Sequence, residues 1–255
     1  MRQGETMANT TRIASWNIWI FGKRDYMGMA KLIKRNKIDI IGIQEAALYY
    51  GGNRTLDIAK SIAKELGYNY VFFKSTDIRP RLPIVQGNAI ISRFPILASR
   101  SYALNSTVVK AKSAYEKEQR ILVAAKIKAE SGSINFLTTH LQYSRGFKST
   151  PTRMAQARKI ASIIRGLGGY TVLTGDFNSL PSNKEIGIIE GCMTRIGGDA
   201  PTWTVHPFSL PGWTENRLKY RIDNIFLPKG KTCKRFKVLR SKLSDHLPIM
   251  ADISL

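Results

Sequence analysis

Cysteine and histidine are scarce in this chain of 255 residues, which contains two of the first and three of the second. Cys192 and Cys233 form no Cys-x-x-Cys or Cys/His pattern, so neither a zinc site nor a disulfide framework is indicated. Free thiols are the usual state of cysteine in a reducing compartment, and we therefore expect a cytoplasmic (intracellular) protein. Pairing of the two cysteines and secretion are kept as alternatives.

Long hydrophobic runs are also missing. Even the apolar run Ile38–Ile43 is interrupted by Asp39, so stable membrane insertion is not expected. The first ten residues, MRQGETMANT, lack the apolar segment of a signal peptide. We interpret residues 1–10 as an unstructured leader or tag.

Acidic residues are few, because 18 Asp and Glu oppose 40 Lys and Arg and leave a formal net charge of +22. Such a surface attracts polyanions through electrostatic steering and counterion release. A basic surface can serve solubility alone, but a charge of this size favours a phosphate-rich partner. Nucleic acid is favoured over an anionic membrane, because no cationic amphipathic anchor helix is evident.

No internal repeat, low-complexity tract or domain-sized linker interrupts the chain. We therefore expect residues 11–255 to form a single domain with strands in both halves and helices between some of them. The clearest helix begins at Pro151, with Thr150 as its N-cap. Further helices are expected over residues 28–36, 55–66 and 183–190, and an irregular aromatic loop over residues 202–213.

Most polar residues able to support chemistry lie at the ends of expected strands. In a mainly antiparallel sheet, the ends of some strands and the starts of others share one rim, so these side chains are expected to converge. The set consists of Asn17, Glu45, His140, Asp176, Asn178, Asp223, Asp245 and His246.

The stretch Gly175–Pro181 carries two of these residues directly after a short buried strand. On an extended backbone, residues i and i+2 point to the same side, so Asp176 and Asn178 are expected to face one spot. Gly, Asp, Asn, Ser and Pro are also ordinary turn residues, and the stretch alone would indicate only a turn. The other strand-end residues favour a site.

Two of the three histidines belong to this set, next to carboxylates. Asp245 precedes His246, and Asp223 is near in the expected order of strands. A carboxylate that accepts from imidazole fixes the tautomer and raises the basicity of the ring. The remaining carboxylates and amides are hard oxygen ligands, which select Mg²⁺ or Mn²⁺ rather than zinc.

Seven short motifs occur in order along residues 12–254. They are Trp16-Asn17, Gln44-Glu45, Gly87–Pro95, Thr139-His140, Gly175–Asn178, Arg221–Asp223 and Ser244–His246. Each motif is weakly specific, but together they resemble the endonuclease/exonuclease/phosphatase superfamily, in its deoxyribonuclease-like, histidine-containing branch. The resemblance implies an α/β (α+β) fold, a four-layer sandwich of two packed mixed β-sheets flanked by helices. It also implies metal-dependent cleavage of phosphate esters.

The same resemblance assigns roles to the metal end of the site and to the phosphate. Glu45 is implied as the principal Mg²⁺ ligand, with Asn17 and Asp245 close to the metal and Mn²⁺ as an alternative ion. Arg120 and Asn178 are implied to hold phosphate oxygens.

The remaining motif residues are implied to be catalytic. Asp176 positions or deprotonates the attacking water, or binds a second metal. Asp223 orients either His140 or His246, and the resemblance does not settle which histidine acts as the base.

The motif variants separate the branches of the family. His140 stands where abasic-site endonucleases carry a tyrosine motif, and Tyr220–Asp223 departs from the Trp-x-Asp-Arg motif of inositol phosphatases. Gly175–Pro181 also resembles deadenylases. An RNase or deadenylase, a lipid or inositol phosphoesterase and a non-catalytic nucleic-acid-binding protein are therefore kept as alternatives. The tryptophans of the aromatic loop suit membrane entry or base stacking, but packing is favoured.

Charge favours a nuclease among these. Lys229–Lys242 contains seven basic residues and no acidic one. We expect a monomeric, Mg²⁺-dependent nuclease that cleaves DNA in preference to RNA with little sequence specificity. The basic residues expected on the nucleic-acid surface are Arg79, Arg81, Arg145, Lys148, Lys234, Arg235 and Lys237.

Overall fold

A computed structural model describes residues 10–52, 54–78, 82–105 and 118–255. The expected residues Arg79 and Arg81, and residues 1–9 of the expected leader, lie outside these ranges. Thr10 already belongs to the fold, because it pairs with Ser254 in a sheet.

Fifteen strands and four α-helices are found in the described ranges. The strands are β1 (Thr10–Asn17), β2 (Ile40–Gly51), β3 (Arg54–Asp57), β4 (Asn69–Asp77), β5 (Ile84–Ser92), β6 (Ile96–Ala103), β7 (Ile121–Ala129), β8 (Gly132–His140), β9 (Tyr170–Asp176), β10 (Met193–Ile196), β11 (Phe208–Leu210), β12 (Trp213–Glu215), β13 (Asp223–Pro228), β14 (Arg235–Val238) and β15 (Ile249–Ser254). The helices are α1 (Tyr26–Arg35), α2 (Ile58–Leu66), α3 (Pro151–Gly166) and α4 (Lys184–Glu190).

The strands form two large mixed sheets. One has the order β14-β15-β1-β2-β5-β4, with β3 paired to β2, and its β1–β2 pair is parallel. The other has the order β10-β13-β9-β8-β7-β6, and its β8–β9 pair is parallel. Strands β11 and β12 form a separate small hairpin.

Three apolar layers hold these elements together. Between the sheets lie side chains from both, including Ile13, Ile90, Phe136 and Ile225. The outer face of the first sheet packs on α1 and α2, and that of the second on α3 and α4. The expected four-layer α+β sandwich is therefore confirmed.

Helix α3 begins where the sequence predicts it, because its N-cap is formed as expected. Thr150 Oγ1 accepts a hydrogen bond from Arg153 N at 3.1 Å, and Pro151 occupies the first turn, where a missing N–H costs nothing. The buried Arg153 guanidinium then pairs with Glu185 at 2.6 Å, which ties α3 to α4. No helix in the described part of the chain combines the length and the apolar character of a membrane span.

Candidate active site

Three neighbouring strands place polar side chains side by side at one end of the second sheet. Asp176, the last residue of β9, is in register with His140 at the end of β8 and with Asp223 at the start of β13. The close approach of β8 and β9 requires glycine before Asp176. A Cβ on Gly175, whose φ is +155°, would lie 2.2 Å from Thr139 O.

The other sheet contributes Asn17, at the end of β1, and Glu45. Glu45 was expected at the end of a strand, but β2 continues to Gly51, so the expectation of a strand end was wrong. The register of β2 and β5 shifts between Ile43 and Ala46, and Glu45 has φ +55° at this irregularity. A β-bulge re-aims a side chain without ending the strand, which explains how Glu45 reaches the site.

Asn17 connects the two sheets at the site. Its Nδ2 donates to Glu45 Oε1 at 3.1 Å and to Asp176 Oδ2 at 3.0 Å. All of these side chains except Glu45 are buried, and Glu45 is nearly so. The sequence-predicted residues of both sheets are therefore brought together.

Asn178 reaches the same place by a route different from the expected one. The strand ends at Asp176, and Asn178 has φ +46°, so the two residues are not on an extended backbone. Asp176 Oδ1 instead accepts from Asn178 N at 2.8 Å, which closes a tight turn. Asn178 Nδ2 then lies 3.0 Å from Leu141 O and 2.9 Å from His140 Nε2.

These contacts assign the proton of His140. Because a carbonyl only accepts, the amide atom facing Leu141 O is the nitrogen, and it donates to His140 Nε2 as well. This arrangement favours a neutral ring with its proton on Nδ1, although Nδ1 has no hydrogen-bond partner and Nε2 also lies 3.4 Å from Asp176 Oδ2. Burial, followed by the charges of Arg120 and His246, lowers the pKa of His140 well below its ordinary value. Both N–H groups of Asn178 are thus used, and phosphate binding by this amide requires release of His140.

His246 is in the opposite state. Its Nδ1 lies 2.9 Å from Asp223 Oδ2, and its Nε2 lies 3.7 Å from Asp176 Oδ2. Burial opposes the charged ring, but the carboxylates of Asp223, Asp245 and Asp176 outweigh it and raise the pKa of His246 well above its ordinary value. Of the two histidines that Asp223 was expected to orient, it contacts His246.

Asp176 lies between the two histidines. Burial raises its pKa to about 7, against the favourable charge of His246 and the hydrogen bonds from Asn178 and Asn17. A pKa in this range suits a general base or acid near neutral pH.

Glu45 and Asp245 lie at the end of the site where the metal was expected, which we call the metal end. Burial and then the charge of Asp245 raise the pKa of Glu45, which shows that the two carboxylates repel each other. Glu45 Oε2 accepts from Ile20 N at 2.8 Å, and Asp245 Oδ2 accepts from Trp203 Nε1 at 2.9 Å. Buried oxygen ligands with excess negative charge fit a hard divalent cation. Asn17 lies beside them, with its Oδ1 accepting from Trp19 N at 3.0 Å.

A second arrangement of possible ligands is less suitable for a metal. Ligand atoms of Asp176, Asp223 and His246 lie within 4.8 Å of one another. The carboxylates around His246 raise its pKa and so disfavour the neutral ring that a cation would need. The end with Glu45 is therefore the metal site that we propose below.

Six of these groups line a cleft of about 480 Å³, and we call them, with Asn17 and Asp223 that contact them, the floor of the cleft. The six are Glu45, His140, Asp176, Asn178, Asp245 and His246. Arg120 lines it, buried, with Nη2 2.5 Å from Glu118 Oε2. Because Arg120 lines the cleft, it stays a candidate for the expected phosphate role. The other lining residues form the walls and are mainly apolar, but they include four polar ones, Thr76, Asp77, Gln86 and Glu118. The apolar and aromatic ones are Trp19, Ile20, Phe21, Ile78, Leu82, Tyr143, Phe147, Trp203, Phe208 and Ile222.

The expected basic surface is divided by the fold. Exposed Arg145 and Lys148 lie on the loop that carries Tyr143 and Phe147 to the cleft wall. Arg145 donates to Pro211 O in the neighbouring aromatic loop. These two cations are therefore near the site.

The other expected cations lie on the edge strand β14 or beside it. Lys234 Nζ lies 3.4 Å from Thr10 Oγ1, at the end of β1 opposite to Asn17. Arg235 pairs with Asp252 at 2.8 Å, and Lys237 is exposed on the same strand. The fold does not bring Lys234 and Arg235 to the cleft.

The sequence did not reveal two features of the site. Trp203 packs against Phe147 and Trp213 as expected for the aromatic loop, but its indole also holds Asp245. Exposed Phe21 lines the cleft wall. No motif distinguishes such residues from other aromatics, because the contacts depend on long-range packing.

Comparisons with known proteins agree with this geometry. A family model described as the Endonuclease/Exonuclease/phosphatase family matches residues 14–246, which contain every residue of the floor. No curated protein sequence matches the chain. Members of this family are divalent-metal-dependent phosphoesterases.

Solved structures share the fold at low identity. An endonuclease/exonuclease/phosphatase family protein from Leptotrichia buccalis is 21% identical with a TM-score of 0.73, over 96% of this chain and 100% of that one. A mannosyl-6-phosphatase from Bacteroides thetaiotaomicron is 20% identical with a TM-score of 0.70, over 95% and 99%. TDP2 from D. rerio, complexed with single strand DNA product, is 16% identical with a TM-score of 0.70, over 96% and 98%. With the family model matching nearly the whole chain, the protein belongs to the endonuclease/exonuclease/phosphatase family.

Proposed function

We propose that this protein is a Mg²⁺-dependent nuclease that hydrolyses phosphodiester bonds of DNA with little sequence specificity. The observation that carries the proposal is a floor of carboxylates and histidines beneath apolar cleft walls. Apolar walls suit a nucleobase, whereas the hydroxyls of a sugar phosphate or the phosphates of an inositol need polar partners. The net charge of +22 supports a polyanionic substrate.

The floor divides the work among its own side chains. Asp176 accepts the proton of the attacking water, since its pKa of about 7 suits a base near neutral pH. His246, held by Asp223, supplies a positive charge and a proton for the leaving oxygen. His140 is held neutral by Asn178. Mg²⁺ bound at Glu45, with Asn17 and Asp245 beside it, would offset the negative charge that builds on the phosphate oxygens.

The similar structures are compatible with either a phosphodiester or a phosphomonoester as the substrate. The single strand DNA product in D. rerio TDP2 supports DNA as the substrate, and the mannosyl-6-phosphatase from B. thetaiotaomicron supports a sugar phosphate. The apolar walls favour the first. Low sequence specificity is expected because dispersed cations contact phosphates, which carry no sequence information.

A substrate panel tests the proposal. Duplex DNA, single-stranded DNA, RNA and mannose 6-phosphate are each incubated with the wild type in Mg²⁺ and in chelator. The variant Asp176→Ala is expected to lose about 10²–10⁴-fold in kcat on DNA. Asp199→Asn is the control, because Asp199 is an exposed carboxylate outside the cleft.

Three results would contradict the proposal. Equal activity of Asp176→Ala and wild type would remove the assigned base. Hydrolysis of mannose 6-phosphate with DNA left intact would indicate a phosphatase. Faster cleavage of RNA than of DNA would place the protein among the ribonucleases.

A further inference from the structure

The loop after β1 places an exposed aromatic ring beside the catalytic floor. Phe21 lines the cleft, although 62% of its surface is exposed. Leu82, which is 41% exposed, lines the same cleft. An exposed large apolar side chain at the border of a functional cleft points to contact with a ligand.

The residues around Phe21 are held by the site itself. Trp19 N donates to Asn17 Oδ1 at 3.0 Å, and Ile20 N donates to Glu45 Oε2 at 2.8 Å. Tyr49 Oη donates to Ile20 O at 2.5 Å. The position of Phe21 is therefore fixed relative to the metal end of the site.

The neighbouring ring is already stacked within the protein. The centroid of Trp19 lies 5.6 Å from that of His206, with an angle of 24° between the planes. A Cβ on Gly22 would lie 2.7 Å from the Trp19 ring, so glycine is needed to close this turn. Phe21, between these two residues, is the ring of the loop that faces solvent.

Two cations follow this ring closely in sequence. Lys23 and Arg24 follow it and are exposed, and the Arg24 guanidinium lies 3.9 Å from the centroid of Tyr49. The next residue, Asp25, is acidic, but its carboxylate accepts from Gly28 N as the N-cap of α1. A flat apolar face next to positive charge suits a base and its flanking phosphates.

We propose that Phe21 stacks on an unpaired nucleobase next to the scissile phosphate, so that single-stranded DNA is cleaved faster than fully paired duplex. This inference rests on the proposed nuclease function. In a duplex, neighbouring base pairs cover both faces of each base, and stacking on Phe21 would require the base to leave the helix. In a single strand the face is free.

The test compares Phe21→Ala and Phe21→Trp with the wild type on two substrates in Mg²⁺. One is a short single strand of DNA, and the other is a strand of the same length whose sugars carry no bases. Phe21→Ala is expected to lower kcat/KM about 5- to 100-fold on the first strand and less than about twofold on the second. Phe21→Trp is expected to retain activity on both. Leu97→Ala is the control, because Leu97 is 54% exposed on β6 and lies outside the cleft.

Each other outcome overturns the inference in a distinguishable way. An equal loss on both strands would show that Phe21 shapes the site rather than binds a base. No loss on the first strand, or duplex cleaved by the wild type as fast as single strand, would remove base stacking and leave the nuclease function intact. Binding to anionic lipid vesicles that is lost in Phe21→Ala, with unchanged DNA cleavage, would assign the ring to a membrane surface. No cleavage of any DNA by the wild type would overturn the nuclease function as well.

Discussion

The buried carboxylate of Asp176 is expected to lower the stability of the protein that it serves. Its pKa is raised, so the charged form is less favourable in the folded state than in the unfolded chain. Replacing it by the neutral isostere, Asp176→Asn, should therefore stabilise the fold above neutral pH while abolishing cleavage.

The size of the expected stabilisation follows from the raised pKa of Asp176 and from the hydrogen bonds of its carboxylate. Raising the pKa from 3.8 to about 7 corresponds to a penalty of about 4 kcal/mol for the charged form. Asn keeps one oxygen for Asn178 N, but its amide nitrogen then faces Asn17 Nδ2, which costs about 1–3 kcal/mol. The net gain is about 2 kcal/mol at pH 8, or about 4–8 °C in Tm for a chain of this size.

The dependence on pH gives the sharper test. The penalty in the wild type is absent below the unfolded pKa of 3.8 and complete above the folded pKa of about 7. The advantage of Asp176→Asn should therefore shrink as the pH falls from 8 to 4. It is measured by urea unfolding in chelator at several pH values, so that metal binding does not contribute. A variant that is less stable than wild type at pH 8, or a difference that does not change with pH, would refute this reasoning. The control Asp199→Asn, which loses only an exposed ion pair with Arg195, should change the stability by less than about 1 kcal/mol.

Two further predictions concern residues that support the fold and the site. Asp252 accepts hydrogen bonds from Arg12 and Arg235. Burial would raise the pKa of Asp252, but these hydrogen bonds outweigh burial and lower it. The stability that Asp252 contributes is therefore present above its ordinary pKa of 3.8 and is lost at lower pH. Asp252→Asn should therefore cost about 1–3 kcal/mol at pH 7, and urea unfolding should show the difference vanishing towards pH 3. Trp203→Phe keeps an aromatic ring but removes the N–H held by Asp245, and calorimetry should show Mg²⁺ binding about 10-fold weaker or more. Unchanged Mg²⁺ affinity would mean that the indole does not orient Asp245.

The residues of the floor could be predicted because they lie where strands begin and end. His140, Asp176 and Asp223 occupy facing positions of β8, β9 and β13, and the register brings them together without any special loop. Glu45 was predicted from its motif, but the β-bulge that contains it was not predicted. The apolar pattern of β2 breaks at Gln44-Glu45, and such a break looks the same whether a strand ends or continues after an irregularity.

Some strands could not be predicted, because their sequences show no sustained alternating apolar pattern. Strand β6 is largely exposed and lies at an edge of its sheet, so its sequence, ILASRSYA, lacks a regular apolar face. Strands β11 and β12 lie within or next to the segment expected to be irregular, and they pair only with each other. Their pairing depends on the aromatic cluster around Trp203 rather than on local propensity.

The sequence gives the number of charged residues, but it does not show where on the surface they lie. Arg235 looked like part of a basic surface because residues 229–242 contain no acid. Its partner, Asp252, lies on the adjacent strand and also binds Arg12, which is 240 residues away in sequence. Local composition therefore overestimates the cations free to bind phosphate, and the cleft walls become the better guide to the substrate.

The protonation preferences of the two histidines could not be predicted from the sequence, because they depend on contacts between residues that are distant in the chain. Asp245 adjoins His246 in sequence, yet the carboxylate that contacts the ring is Asp223, at 2.9 Å, while Asp245 remains 4.0 Å away. His140 is equally buried but receives a hydrogen bond from Asn178 and lies near Arg120, so its proton stays on Nδ1 and its charge is disfavoured. Because the charged form is favoured for one ring and disfavoured for the other, the two histidines are not equivalent. In the mechanism that we propose, His246 rather than His140 is therefore the proton donor opposite Asp176.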